Sequence, residues 1–160
     1  YIIVTAILIS IIFHRIADFF CKLYPMLNRD LLLTAAMFHD IGKLTELSTF
    51  PANDYTDDGQ LLGHIMIGAM EVQKHIDQIE GFPKRTASEL VHCILAHHGE
   101  LEYGSPKKPA LAEAIALSFA DNSDAKLETM REALSNIPEN SLEWQGFNRF
   151  LDSNIRRTSK

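Results

Sequence analysis

The chain is poor in the features that would assign it to several common classes. It holds two cysteines, Cys21 and Cys93, with no C-x-x-C pair. A disulfide scaffold and a thiolate zinc knot are therefore excluded, and a reducing, cytoplasmic setting is expected. Both cysteines sit in apolar helical contexts and read as small core residues. Basic residues are in deficit, 15 against 21 acids, for a net charge of −6 and a pI of about 5.6. An acidic surface argues against bulk electrostatic binding of nucleic acid, which needs a basic face, although a local basic mouth stays open. There is no apolar run of the ~20 residues that a membrane span needs. The longest, residues 1–13, has no basic flank before it, so neither a span nor a signal peptide is expected. The chain does not open with Met and reads as a processed or partial form. It shows no internal repeat, no low-complexity tract and no sustained strand-period alternation.

What is present is helical. With 160 residues, 46% hydrophobic and 22% charged, a single globular domain over 1–160 is expected, large enough for a real core. The opening run is apolar on all sides and reads as a buried helix, with β-branched richness weakening that assignment. An amphipathic helix continues from His14 to Leu23 and ends at Tyr24-Pro25. Asn28 then caps a helix that reaches His39-Asp40, and Gly42 terminates or bends it. Residues 48–59 form a polar, turn-rich loop. Gln60 to Ile79 repeats Leu61, Ile65, Gly68, Val72, Ile76 and Ile79 at the spacing of one buried face. After the Gly81-Phe82-Pro83 turn, Thr86-Ala87-Ser88-Glu89 has capping-box form and opens a helix running to His97-His98 and stopping at Gly99. A proline-pinned loop carries Lys107 and Lys108. Ala110 to Phe119 delivers Asp121, Leu127 to Ile137 continues helical, and Glu143 to Ile155 forms a last amphipathic element around Trp144, Phe147, Phe150 and Leu151. The expectation is an all-α bundle of six or seven helices.

The chemistry centres on Ala35-Ala36-Met37-Phe38-His39-Asp40-Ile41-Gly42-Lys43. Burying an imidazole and a carboxylate beside Leu and Met is costly unless they are paired or hold a metal. Adjacent helical positions point about 100° apart, so the two cannot grip an ion by spacing alone. Taken singly, the pair also reads as a histidine satisfied in the core and an aspartate capping a turn. Further ligands are available from His64, His97, His98 and Asp121, each at or near a helix end or on a helix face. An imidazole and carboxylate set suits Mn²⁺, Fe²⁺, Zn²⁺, Mg²⁺ or Ni²⁺. His75 lies about 16 Å along the helix from His64, too far to share its ion, and His92 reads as structural.

The His39-Asp40-Ile41-Gly42-Lys43 stretch, followed by Gly63-His64, Ala96-His97-His98-Gly99 and Ala120-Asp121, resembles the HD superfamily of metal-dependent phosphohydrolases. The Leu61-Leu62-Gly63-His64-Ile65 and Gly99-Glu100-Leu101-Glu102-Tyr103-Gly104-Ser105-Pro106 text is similar to the YhaM-type 3′→5′ exoribonuclease branch. So are Leu44-Thr45-Glu46-Leu47-Ser48 and the late Trp144 to Asp152 segment. The resemblance spans about Ile16 to Ile155. It implies that His39, Asp40 and Asp121 hold one divalent ion. His64 with His97 or His98 would hold a second or orient the phosphate, and Lys43 would contact substrate. On this footing Asp40, Lys43, His64 and His98 are the catalytic candidates, with Lys107 and Lys108 as additional substrate-binding cations at the mouth. The expected substrate is RNA or single-stranded nucleic acid. A mononucleotide phosphohydrolase and a non-catalytic regulatory HD module are the alternatives. The chain departs from the family's pattern in two ways. The family's first-helix metal-binding histidine would fall near Ile9, and His14, five residues later, would face elsewhere unless the helix start is remodelled or residues 1–13 are not the natural text. The branch's N-terminal OB-fold domain, which binds nucleic acid, is expected to be absent.

Overall fold

The computed structural model describes residues 2–49 and 51–159, with side chains from Phe13 onward. Six α-helices are seen among the described residues: α1 (Ile2–Leu23), α2 (Arg29–Phe38), α3 (Lys43–Glu46), α4 (Asp57–Ile76), α5 (Lys84–Leu95) and α6 (Ala112–Leu134). A 3₁₀ turn covers Leu101–Tyr103, and a two-stranded antiparallel hairpin pairs β1 (Phe147–Asn148) with β2 (Ser153–Asn154). The described residues are all-α but for that hairpin and an isolated Leu47–Tyr55 bridge. The side-chain environment expected for residues 1–12 lies outside the described residues.

Two compact units divide the chain, Tyr1–Asp121 and Asn122–Lys160. The first is built on a core of Phe13 and Ala17 from α1, Leu32, Ala35 and Ala36 from α2, and Ala69, Val72 and Ile76 from α4. Cys93 and Ile94 from α5 and Ala114, Leu117 and Ala120 from α6 complete it. Cys93 is fully buried, and both cysteines are free thiols. α2 begins as its sequence dictates. Asn28 stands in an extended conformation and its side chain accepts from the Leu31 N–H, satisfying one of the helix's orphan donors. The Asn28 N–H donates in turn to Glu113 at 2.6 Å.

Several elements differ from the sequence expectation, which did not include α3 and gave two helical stretches where α6 is one helix. α4 starts at Asp57, not Gln60, because the Thr56 hydroxyl caps it by accepting from Gly59 N–H, and it ends at Ile76 rather than Ile79. α5 starts at Lys84, with Pro83 at the N-cap position (φ −66°). Proline already holds a helix-compatible φ, so the helix opens before the Thr86 capping box is reached. Lastly, residues 143–155 do not form an apolar-faced packing element. Gly146 (φ 88°) and Asp152 (φ 49°) take left-handed backbone, which interrupts a helix, and Asn148 accepts from Leu151 N–H to tighten the turn. Trp144, Phe147 and Phe150 are exposed, while Ile155 is buried. Within this second unit Arg157 donates to the Leu134 and Ile137 carbonyls, closing the free end of α6.

α4 is not one straight helix. Gly63 takes φ 71°, ψ 156° inside it, a region that is essentially glycine-only. The break frees the His64 N–H from the helical ladder. Gly42 makes the complementary close approach. A Cβ there would lie 2.0 Å from the His64 carbonyl oxygen, so only glycine lets the turn after His39-Asp40 lie directly on α4. Among the described residues no helix is long and apolar enough to cross a membrane.

Candidate metal centre

Three imidazoles, those of His39, His64 and His97, converge on the Asp40 carboxylate, and a fourth, His98, stands beside them. His39 caps the C-terminus of α2, and its Nδ1 donates to the Ala36 carbonyl at 2.9 Å. His97 lies just beyond α5, is 1% exposed, and donates from Nδ1 to the Ile94 carbonyl at 2.7 Å. His98 does the same to the Tyr103 carbonyl at 2.7 Å. A carbonyl only accepts, so in all three Nδ1 carries a proton, and in the neutral ring Nε2 presents a lone pair. His64 follows the Gly63 break, with its Nδ1 3.1 Å from Glu46 Oε1. The rings of His39 and His97 are 5.1 Å apart, those of His64 and His98 5.2 Å, and those of His97 and His98 4.4 Å.

Asp40 uses its two oxygens differently. Oδ2 faces His39 Nε2 at 3.4 Å and accepts from Lys43 Nζ at 2.6 Å. Oδ1 faces His64 Nε2 at 3.6 Å and His97 Nε2 at 3.7 Å. Asp121 Oδ1, from α6, approaches His39 Nε2 at 3.7 Å. The structure thus gathers His39, Asp40, His64, His97, His98 and Asp121, with Lys43 at the edge.

Asp40 Oδ1, His64 Nε2 and His97 Nε2 are buried and have no hydrogen-bond partner. Three orphaned polar atoms in mutual view are costly without something between them. Two lone-pair nitrogens and a carboxylate oxygen are ligands for a cation. Ligand atoms about 2.1 Å from an ion stand roughly 3.0–3.4 Å apart at octahedral to tetrahedral angles, close to the separations seen. His64, His97 and His98 each offer a ligand atom, all within 4.8 Å of one another. The residues fit a divalent metal.

The local electrostatics follow. Burial pushes His97 down to about 3, with the charges of neighbouring imidazoles adding to it, so it is neutral and ligand-ready. For His39 burial acts the same way, but the hydrogen bond and charge of Asp40, with the charge of Asp121, outweigh it and hold its pKa above the ordinary value. Burial also opposes the Asp40 charge, yet His39 and Lys43 keep its carboxyl well below the usual range. Asp121 is raised, chiefly by burial.

The remaining candidates stand elsewhere. Lys108 pairs with Glu100 at 2.5 Å, and Lys107 and Lys108 line a groove with His92, Leu101, Pro106 and Ala110. His92 accepts from the Ala110 N–H, and His75 pairs with Glu71. The ring that α1 stacks on His39, centroids 4.6 Å apart, is Phe13 rather than His14. The sequence singled out neither Phe13 nor the Glu46–His64 contact. Glu46 had one signal, an acid three residues after Lys43, but no spacing rule joins it to His64.

The HD domain family pattern matches residues 5–126. Among curated proteins, the 3′-5′ exoribonuclease YhaM of Bacillus subtilis is 42% identical over 123 residues, covering 77% of this chain and 39% of that protein. The YhaM proteins of Bacillus pumilus (41%) and a Geobacillus species (42%) match over the same 77% of the chain, 39% and 38% of their own lengths. The chain spans about two fifths of the length of these relatives. No solved structure matches.

Proposed function

The chain belongs to the HD domain family, and on that premise we propose that it hydrolyses phosphodiester bonds of RNA, acting from the 3′ end, with divalent metal bound around Asp40. The observation that carries this reading is the orphaned triad of Asp40 Oδ1, His64 Nε2 and His97 Nε2. Its substrate rests on likeness to relatives named as 3′-5′ exoribonucleases. His39, Asp40 Oδ2 and Asp121 would hold one ion, and Asp40 Oδ1, His64, His97 and His98 another, with Asp40 shared. Nitrogen and oxygen donors without a thiolate favour Mn²⁺, Fe²⁺, Mg²⁺, Zn²⁺ or Ni²⁺, Mn²⁺ being the ion to try first. Bound metal supplies hydroxide near neutral pH and offsets charge on the phosphate.

The chain's own groups do the rest. Nδ1–H bonds to backbone carbonyls lock His39, His97 and His98 with Nε2 inward. Lys43, half-exposed on the rim, can pass from Asp40 to a phosphate oxygen without leaving the site. Beside His64 and His98 opens a cavity of about 440 Å³, lined by Leu61, Leu62, Gly63, Met66, Tyr103 and Pro106. An open mouth suits the end of a strand better than a closed mononucleotide pocket.

The test is a 5′-labelled RNA incubated with Mn²⁺ and either wild type or Asp40→Ala. Stepwise shortening by wild type and a loss of at least about 10³-fold in the variant are expected, since one change strips both half-sites. Equal shortening by both would end the proposal. A second reading, a metal-binding HD module without hydrolytic activity, draws on Phe13, whose ring stands where α1 meets His39. Stoichiometric Mn²⁺ with no turnover of RNA or nucleotides would select it.

A further inference from the structure

We propose that Glu46 is a positioning residue of the metal centre: it fixes His64 in one tautomer and one orientation, and strengthens it as a ligand. This rests on the metal-binding part of the reading above. Glu46 is 8% exposed. An interior carboxylate is destabilising unless it is paired and hydrogen-bonded. Its Oε1 accepts from the His64 backbone N–H at 2.9 Å and stands 3.1 Å from His64 Nδ1. One oxygen therefore holds both the backbone and the ring of the same residue.

The surrounding sequence is built to permit that grip. The Gly63 break presents the His64 N–H to Glu46 instead of to a helical carbonyl. Gly42 seats the turn preceding α3 on the His64 carbonyl, and a Cβ on Gly59 would fall 2.3 Å from the Glu46 carbonyl oxygen. Thr56 clamps the same carbonyl from the other side, through its N–H at 2.9 Å. A residue that merely capped the restarted α4 would need only the backbone bond.

The contrast with the other imidazoles identifies the role. His39, His97 and His98 give their Nδ1–H to neutral carbonyls. His64 alone of the four gives it to a carboxylate. A carboxylate partner raises the electron density at the opposite nitrogen, and removing such a partner typically lowers metal affinity 10–100-fold. That opposite nitrogen, Nε2, is one of the three orphaned atoms facing Asp40.

The test reads metal and tautomer, not RNA. In a long-range proton–nitrogen spectrum of the metal-free protein, His64 is expected as the Nδ1–H form with a bare Nε2. Calorimetric titration with Mn²⁺ should show affinity falling about 10-fold in Glu46→Gln and up to about 100-fold in Glu46→Ala. Asn28→Ala supplies the structural control: it removes the α2 cap and lowers the melting temperature while leaving Mn²⁺ affinity within about two-fold of wild type. An Nε2–H tautomer in wild type would overturn the inference. So would Glu46 variants that lose thermal stability yet keep wild-type affinity. Normal Mn²⁺ binding without RNA cleavage would defeat the nuclease reading and leave this one standing.

Discussion

Burial of His97 in neutral form makes the metal-free protein acid-sensitive in a defined window. Its pKa falls from the ordinary 6.5 to about 3 in the folded state. Between those values the unfolded chain takes up a proton that the native state refuses, so stability falls as pH is lowered through the window. The contribution is up to about 1.4 kcal/mol per pH unit. His39 has the opposite sign, since its raised pKa stabilises the fold at low pH and that gain is lost as pH climbs through the raised value. Denaturant melts of chelator-treated protein from pH 7 to pH 4 should show decreasing stability, with a flatter profile in His97→Gln. A wild-type profile already flat over that range would contradict the burial argument. At this scale much of the centre was legible in the sequence. An imidazole or an acid at the end of an apolar run draws attention because burial without a partner is costly. Glu46 was not legible in that way, because its contact depends on a helix break no propensity announces.

Helices were read well where a local rule decides them and poorly where two rules compete. Asn28 caps α2 and Pro25 closes α1, both by chemistry confined to a few residues. The Thr86 box lost to Pro83. The apolar spacing of Trp144, Phe147 and Phe150 imitated a buried face, but positive-φ backbone at Gly146 turned the segment into a hairpin. Gly42 shows what spacing cannot reveal, for its φ of −62° is open to any residue. Its need for glycine comes from the neighbour, not the backbone. Gly42→Ala should therefore cost about 3 kcal/mol by chemical denaturation, as overpacking against immovable backbone. It should also weaken Mn²⁺ binding, since the displaced carbonyl belongs to His64. Loss below about 0.5 kcal/mol would mean the turn does not rest on α4 as described.

Across the whole chain, the all-helical class followed from periodicity, whereas the assembly of the centre did not. Asp40 and Asp121 are brought to one imidazole by the packing of a core to which α1, α2, α4, α5 and α6 all contribute. The sequence could nominate those partners from their places at helix ends and faces, but not show that packing brings them to one point. Metal that ties these helices together must stabilise the folded state by mass action. At Mn²⁺ one hundred times its dissociation constant, about 2.7 kcal/mol is expected, seen as a raised melting temperature that chelation reverses. Asp121→Ala should shrink that increment, and an unchanged increment would remove Asp121 from the ligand set. The second unit offers a separate view of the same transition. Trp144 is the chain's single tryptophan and lies in that unit, with the Arg156 guanidinium 5.2 Å over its ring. Its emission reports on the second unit, whereas far-ultraviolet ellipticity is dominated by the helices. Heating while both signals are recorded therefore follows the second unit and the helices in parallel, with no dye and no added fluorophore.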